Sequence, residues 1–182
     1  LGITGVTPLE MTSAFTALAN GGQRVEARFV TRVETADGDL VWEPEPDRER
    51  VIDEGVAYLI TDMLRDAVDV GTANSVRDAG FRGPAAGKTG TTNDAADAWY
   101  VGYTPQLVGG VWIGFDQRRP IASRASGGRA AAPVWGRLMR RAPVDDEGPD
   151  TWECPDGVIE RALDPETGRP IRPGCEPEGR RL

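Results

Sequence analysis

The sequence contains no histidine, and Lys88 is the single lysine among 21 basic residues. The lack of histidine excludes a Ser/His/Asp triad, a Cys/His pair and every zinc site that requires histidine. Any catalysis by this chain must therefore use lysine, serine, threonine, tyrosine or carboxylate side chains. The residues around Lys88 become the first candidates.

Cysteines and long apolar runs are scarce too. The two cysteines, Cys154 and Cys175, lie too far apart for a CxxC metal or redox motif. A disulfide between them would suit an oxidising compartment and two free thiols would suit the cytosol, and these residues alone leave both open. No apolar run approaches the length of a membrane span or a signal-peptide core. Any membrane anchor is therefore expected outside this chain.

Basic stripes are also missing, and the formal net charge is −8. This balance argues against a nucleic-acid partner. The residues from Pro143 onward carry 11 acidic and 5 basic side chains and many of the prolines. We therefore predict two parts: residues 1–142 as a globular unit and residues 143–182 as an acidic, Pro/Gly-rich extension.

Three helices are predicted from start signals and apolar spacing. Thr7, Pro8 and Glu10 form the capping box and first-turn proline of the first helix. The second helix spans 53–70, and the third begins near Pro133. The residues predicted to face inward are Val56, Leu59, Ile60, Met63, Leu64, Ala67 and Val68 in the second helix, and Val134, Trp135, Leu138 and Met139 in the third.

Strands are predicted where β-forming residues lie between turn signals. Asp37 and Gly38 favour a tight hairpin between the first two segments, and short turns join the last three. Connections this short cannot hold crossover helices, so the strands should be antiparallel. The fold class is therefore α+β, an antiparallel sheet flanked by helices. The segments are 28–36, 40–43, 85–92, 98–103 and 107–115, with 71–83 as a loop.

The single lysine lies in a run of small and hydroxylated residues. Lysine is a compact ammonium that can be desolvated, and the glycines let another molecule approach the backbone. The run predicts an anion- or oxyanion-binding edge, against the alternative of an ordinary Gly/Thr turn. Its residues are Gly87, Lys88, Thr89, Gly90, Thr91 and Thr92.

A nucleotide-binding P-loop does not fit this run. The P-loop spacing requires a glycine at the position that Arg82 occupies, and Gly83 is one residue too close. The residues after Thr92 are predicted to form strands, whereas a phosphate site needs the N-terminus of a helix. We therefore expect no nucleotide binding.

A Lys-Thr-Gly element is typical of the serine acyl-transferases that recognise penicillin. Over nearly its whole length, the chain resembles the C-terminal half of the transpeptidase domain of class A (bifunctional) penicillin-binding proteins. The matching segments, in order, are 5–10, 19–22, 61–72, 84–94, 97–105, 111–116, 131–135 and scattered positions from Pro155 to Cys175.

The resemblance implies roles for the lysine run. Lys88 and Thr91 would be catalytic: Lys88 through its positive potential, and Thr91 through a backbone N–H of the oxyanion hole. The hydroxyls of Thr89 and Thr91 would bind the substrate's terminal carboxylate, and Gly90 and Thr92 complete the substrate-binding wall. The partners implied are peptidoglycan stem peptides and β-lactam antibiotics, with no cofactor and no metal.

Two elements of that family are absent from the sequence. No Ser-x-x-Lys element exists, because the serine paired with Lys88 would be Ala85, and no Ser-x-Asn element exists. We therefore expect the acylating serine, a glycosyltransferase domain and a membrane anchor upstream, with this chain on the extracytoplasmic face of the bacterial membrane. That location predicts a Cys154–Cys175 disulfide. The alternatives are a serine β-lactamase or D,D-carboxypeptidase relative, and a non-catalytic peptide-binding module.

Overall fold

The computed structural model describes residues 5–159, 161, 163–164 and 167–170. Within these residues helices and antiparallel strands alternate irregularly, as an α+β fold requires. The helices are α1 (Pro8–Ala19), α2 (Glu54–Asp69), α3 (Ser75–Asp78) and α4 (Ala132–Met139), with a π-helical segment, Gly127–Ala131, before α4. The strands are β1 (Gln23–Val25), β2 (Val33–Glu34), β3 (Leu40–Trp42), β4 (Arg48–Arg50), β5 (Ala86–Thr91), β6 (Ala98–Tyr103) and β7 (Val108–Ile113).

The central sheet has the order β5-β6-β7, and both pairs are antiparallel. This arrangement confirms the three predicted strands and their direction. The β2–β3 pair confirms the hairpin around Asp37 and Gly38, although its strands are shorter than predicted. The β1–β4 pair was not predicted, because its two strands are polar, three residues long and distant in sequence.

Helices cover both faces of this sheet. Tyr100 and Tyr103 are three positions apart in β6, so their side chains leave opposite faces. The ring of Tyr103 contacts Phe15 of α1, with centroids 6.3 Å apart, and its hydroxyl lies 2.9 Å from the hydroxyl of Thr61 in α2. Tyr100 packs edge-on against Trp135 of α4 at 5.3 Å. The sheet is therefore held between α1 and α2 on one side and α4 on the other.

The inward faces of α2 and α4 differ in part from the prediction. Val56, Leu59 and Met63 of α2 are 46%, 51% and 62% exposed, and the buried residues of α2 are Ala57, Thr61 and Val68. In α4, Trp135 and Met139 are buried as predicted, whereas Val134 and Leu138 are exposed. The α2 helix approaches the sheet largely through small residues such as Ala57 and Thr61, so larger apolar side chains beside them remain outside. The α4 helix buries Trp135 and Met139, which leaves their neighbours Val134 and Leu138 exposed.

The first helix begins as the sequence predicts. The Thr7 hydroxyl accepts a hydrogen bond from the Glu10 backbone N–H, and the Glu10 carboxylate accepts from the Thr7 N–H at 2.7 Å. Hydrogen bonds from the Thr7 backbone and then from its side chain lower the pKa of Glu10. The predicted 71–83 loop contains α3, a four-residue helix that is too short to show an apolar period.

The segment after α4 packs against the domain. The Gln106 amide donates to the carbonyls of Asp145 and Pro149, and its oxygen accepts from the Asp145 N–H at 2.8 Å. The Trp152 ring stacks edge-on against Tyr103, with centroids 5.6 Å apart. The first part of the acidic extension therefore packs on the domain, and the boundary at residue 143 stays a prediction.

Two other predictions fall partly or wholly outside the described residues. The sequence predicts a small hairpin from segments 158–163 and 169–172 around the Asp164–Gly168 turn, and among the described residues a bridge joins Leu163 and Pro170. Cys175 is not among the described residues, so the disulfide to Cys154 stays a prediction.

Across the described residues, no helix is long and apolar enough to span a membrane.

Candidate functional site

The lysine run forms the free edge of the central sheet. Ala86 and Gly87 at the start of β5 are buried, Thr89 and Gly90 are half-buried, and Lys88 and Thr91 are exposed. Among the described residues β5 pairs only with β6 in this sheet, so its other edge carries backbone groups that have no partner strand over the exposed residues. This edge is where an extended peptide could add a strand.

The register shows which backbone groups point outward. The Thr92 N–H donates to the Asp97 carbonyl at 3.1 Å, so these opposed residues form a hydrogen-bonded pair. The next opposed pair in an antiparallel ladder lacks these bonds, and its groups point away from the partner strand. Thr91, opposite Ala98, therefore directs both its N–H and its C=O to the free edge. Thr89, two positions earlier in β5, also directs its N–H and its C=O to the free edge.

Lys88 reaches around to this free edge. Its Nζ donates a hydrogen bond of 3.0 Å to the carbonyl of Thr89, one of the outward-pointing groups. The side chain is exposed, and within the described residues it forms no ion pair. A positive charge therefore lies beside the backbone groups that a bound peptide would contact.

The side chains of Thr89 and Thr91 leave β5 on the face opposite to that of Lys88, which is the face that α4 covers. Thr89 lies opposite Tyr100 in register, and Tyr100 packs on α4. Both threonines line an open cavity of about 810 Å³. The remaining lining residues are Gly71, Thr72, Asn74, Ser75, Asp78, Ala79, Ser126, Gly128, Arg129, Pro133 and Arg137.

Two neighbours hold the threonine hydroxyls in place. The Thr89 Oγ1 lies 3.0 Å from the Oγ1 of Thr72, in the loop after α2. The Thr91 Oγ1 accepts a hydrogen bond of 2.9 Å from the Gly127 N–H, at the start of the π-helical segment. A side chain at Gly127 would collide with the backbone of Gly90, so only glycine permits this close approach.

The Thr92 hydroxyl is engaged in the turn between β5 and β6. It accepts hydrogen bonds from the N–H groups of Ala96 and Asp97, at 3.1 and 2.9 Å. A hydrogen bond from Thr92, supported by Arg118, lowers the pKa of the Asp94 carboxyl. The predicted part of Thr92 in substrate binding stays a prediction, and its contacts give it a role in fixing this turn.

Tyrosine is among the side chains that the composition leaves available for proton transfer, and two of the three tyrosines, Tyr100 and Tyr103, are fully buried in β6. Burial raises the pKa of Tyr100, whose hydroxyl has no hydrogen-bond partner among the described residues. Burial also raises the pKa of Tyr103 to about 12, although its hydrogen bond with Thr61 acts in the opposite direction. Both rings therefore remain neutral and pack edge-on against aromatic side chains of the helices that cover the sheet.

Sequence reasoning missed Thr72, Gly127 and Arg129. Each lies at least 16 positions from Lys88, so no local motif connects them to the lysine run. Within the part of the chain that the structure describes, no cluster of three or more His, Cys, Asp or Glu side chains could hold a metal ion.

Comparison with known proteins identifies relatives of this chain in sequence and in structure. Residues 1–140 match the family model of the penicillin-binding protein transpeptidase domain. Penicillin-binding protein 1A of Pseudomonas aeruginosa is 32% identical over 96% of this chain, and that of Neisseria cinerea is 38% identical over 87%. The crystal structure of penicillin-binding protein 1A from Haemophilus influenzae superposes with a TM-score of 0.79 and 25% identity over 97% of this chain.

The chain spans only part of these proteins. It covers 27% of the Pseudomonas protein, 20% of the Neisseria protein and 33% of the Haemophilus structure. Because these matches cover most of this chain, they show its family. The chain and the matched structure share the α+β fold described above. This chain belongs to the penicillin-binding protein transpeptidase domain family.

Proposed function

We propose that this chain supplies the carboxylate-binding and oxyanion wall of a peptidoglycan D,D-transpeptidase. The observation that carries the proposal is the exposed edge of β5, where Lys88, outward backbone groups and two threonine hydroxyls meet beside a cavity. Such an edge can pair with an extended stem peptide, and Gly90 has no side chain to hold it away.

The chemistry proposed is acyl transfer. A serine attacks the carbonyl carbon of the penultimate residue, and the peptide bond to the terminal residue breaks, which releases that residue as an amine. A second stem peptide's amine then attacks the acyl-enzyme ester, forms the cross-link and returns the serine. In the tetrahedral intermediates the Thr91 N–H donates to the oxyanion, and the Thr91 C=O accepts from the peptide's amide N–H.

Recognition of the substrate's carboxylate falls to the threonine hydroxyls. Thr89 and Thr91 point into the same cavity and can both donate to an anion there. The ammonium of Lys88 adds positive potential and favours the ionised forms that proton transfer needs. The same groups would hold the carboxylate of a β-lactam, which would acylate the serine in place of a peptide.

The serine itself is proposed to lie upstream of this sequence, in a longer protein. The absence of a Ser-x-x-Lys element here and the partial coverage of the relatives both support this placement. A glycosyltransferase domain and an anchor that keeps the protein on the extracytoplasmic face of the membrane belong to the same proposal.

A labelled penicillin tests the proposal. We expect the intact protein to form a covalent adduct on an upstream serine, detected by gel fluorescence and peptide mass spectrometry, and the 182-residue chain alone to form none. A stable adduct on any serine of this chain, Ser13, Ser75, Ser123 or Ser126, would contradict the placement of the nucleophile.

The two alternatives give different results in the same assay. A binding module would retain penicillin reversibly, without an adduct in the intact protein. A β-lactamase or D,D-carboxypeptidase would form the acyl-enzyme but pass it to water, so an added acceptor amine would not change the product. Cross-linked product that grows with acceptor concentration is the result expected for the transpeptidase.

A further inference from the structure

We propose that Thr72 is a positioning residue that determines the preference for a free carboxylate. With an anion bound, its hydroxyl would donate to the Thr89 hydroxyl and thereby direct the only hydroxyl hydrogen of Thr89 into the cavity. The inference rests on the proposed function, and it assigns a role to a residue outside the lysine run.

The backbone around Thr72 is fixed from two sides. The next residue, Ala73, is fully buried, and its N–H donates to the Ala67 carbonyl at the end of α2, at 2.9 Å. Gly128 packs so closely on the Thr72 carbonyl that a side chain there would collide with it. These contacts hold the Thr72 hydroxyl 3.0 Å from that of Thr89.

The direction of the Thr72–Thr89 hydrogen bond follows from what an anion requires. A carboxylate accepts hydrogen bonds only, so Thr89 must donate to it, and a hydroxyl carries one hydrogen. If Thr89 donated its hydroxyl hydrogen to Thr72, it would have no hydrogen left to donate to the ligand. With a carboxylate bound, Thr72 is therefore the donor and Thr89 the acceptor in this pair.

Thr91 is oriented by the same principle from a second donor. The Gly127 N–H can only donate, so the Thr91 hydroxyl accepts this bond and keeps its hydrogen for another acceptor. The hydroxyls of Thr89 and Thr91 therefore both present hydrogens to the cavity when Thr72 donates. Two donors in one cavity bind a carboxylate more strongly than a neutral carbonyl or ester, because a hydrogen bond to a charged acceptor is stronger.

The charges around the cavity favour the same ligand. Arg129 and Arg137 line it, and Asp78 is the single acidic lining residue in the part of the chain that the structure describes. Neither arginine forms an ion pair within the described residues, so their charge is available to an incoming anion. The positive charge of the two arginines therefore favours a carboxylate in the cavity, independently of how the hydroxyls are oriented.

The test uses the intact protein that carries the acylating serine, a penicillin with a free carboxylate and the methyl ester of that penicillin. Thr72→Val should lower the second-order acylation rate by the free acid about fivefold and leave the rate with the ester unchanged, because one oriented donor is lost. Thr72→Ser keeps the hydroxyl and should retain the parental ratio of the two rates.

A double-mutant cycle separates an indirect role from a direct one. If Thr72 acts through Thr89, then Thr89→Val alone and the double variant Thr72→Val/Thr89→Val should have equal rates with the free acid. Additive losses would overturn the inference. Thr12→Val, in α1 on the other face of the sheet, is the matched control and should leave both rates unchanged.

Failure of the two proposals can be told apart. A parental protein that forms no adduct with either compound would overturn the proposed function and this inference with it. A parental protein that prefers the free acid, together with a Thr72→Val variant that prefers it equally, would overturn the inference alone.

Discussion

Lys88 is the residue whose substitution tests the site most directly. We predict that Lys88→Ala lowers the acylation rate of the intact protein by about 10²–10³, since loss of one preorganised charge or donor costs that much at such sites. Lys88→Arg should also lower the acylation rate substantially, because a planar guanidinium cannot occupy the space of a compact ammonium. Stopped-flow acylation by a fluorescent penicillin measures both rates.

Arg82→Ala is the matched control for the loss of a positive charge. Arg82 is an exposed cation that lies shortly before β5. Its substitution should leave the acylation rate within a factor of two of the parental value, as expected for a surface change away from the site. A folded Lys88→Ala variant that acylates at the parental rate would remove the catalytic role of this lysine.

Thr91 separates binding of the carboxylate from the oxyanion hole. Thr91→Val removes the hydroxyl and keeps the backbone N–H that points to the free edge. We predict a rise of about tenfold in the KM of a carboxylate-bearing substrate with kcat nearly unchanged, because one hydrogen bond to a charged group is lost. A fall in kcat with an unchanged KM would assign the hydroxyl to the chemical step instead.

At the scale of residues, the sequence shows only the contiguous part of the site. The run 87–92 combines glycine, lysine and threonine in one short stretch, so its chemistry can be predicted before the fold is known. Thr72 and Gly127 meet Thr89 and Thr91 only after the loop behind α2 and the segment before α4 pack on β5. Contacts of this kind follow from tertiary packing, which no local spacing encodes.

The π-helical segment is the element that holds the Thr91 hydroxyl of the site in place. We predict that Gly127→Ala lowers both the melting temperature and the acylation rate by a carboxylate-bearing penicillin. The added methyl collides with the Gly90 backbone, so the segment must move and its hydrogen bond to Thr91 is lost. Thermal unfolding followed by circular dichroism, and the acylation assay, measure the two effects.

Gly5→Ala is the control for the glycine substitution. A methyl group at Gly5 would meet no atom within 4 Å, so neither the melting temperature nor the acylation rate should change. Gly127→Ala protein that matched the parent in both measurements would show that the close approach is unimportant for the site.

Elements with a strong local signal could be predicted, and those defined by packing could not. The strands β5, β6 and β7 follow from β-forming residues and short turns, and the start of α1 follows from its capping box. The buried face of α2 could not be predicted, because Ala57 and Thr61 face the interior while larger apolar residues beside them remain exposed. An apolar period identifies a helix, but the shape of its neighbour decides which residues fit.

In the molecule as a whole, the start of the extension packs on the domain through Trp152. We predict that Trp152→Ala lowers the free energy of unfolding by about 2 kcal/mol, because a half-buried ring is removed from the surface of Tyr103. Chemical denaturation gives this value. Trp42→Ala, in the exposed β2–β3 hairpin, should change it by less than about 0.5 kcal/mol. Equal effects of the two substitutions would show that the extension does not stabilise the domain.

The open edge of β5 also affects how copies of this protein meet in solution. Unpaired, outward-pointing N–H and C=O groups invite a second copy to pair edge to edge, and a charged lysine on an edge strand is a common protection against it. Two such edges brought together would place two Lys88 ammonium groups near each other. Light scattering should therefore detect more self-association in Lys88→Ala than in Lys88→Arg, which keeps the repelling charge. The lysine proposed to attract an anionic peptide to this edge is thus also expected to keep the edge from pairing with that of another copy.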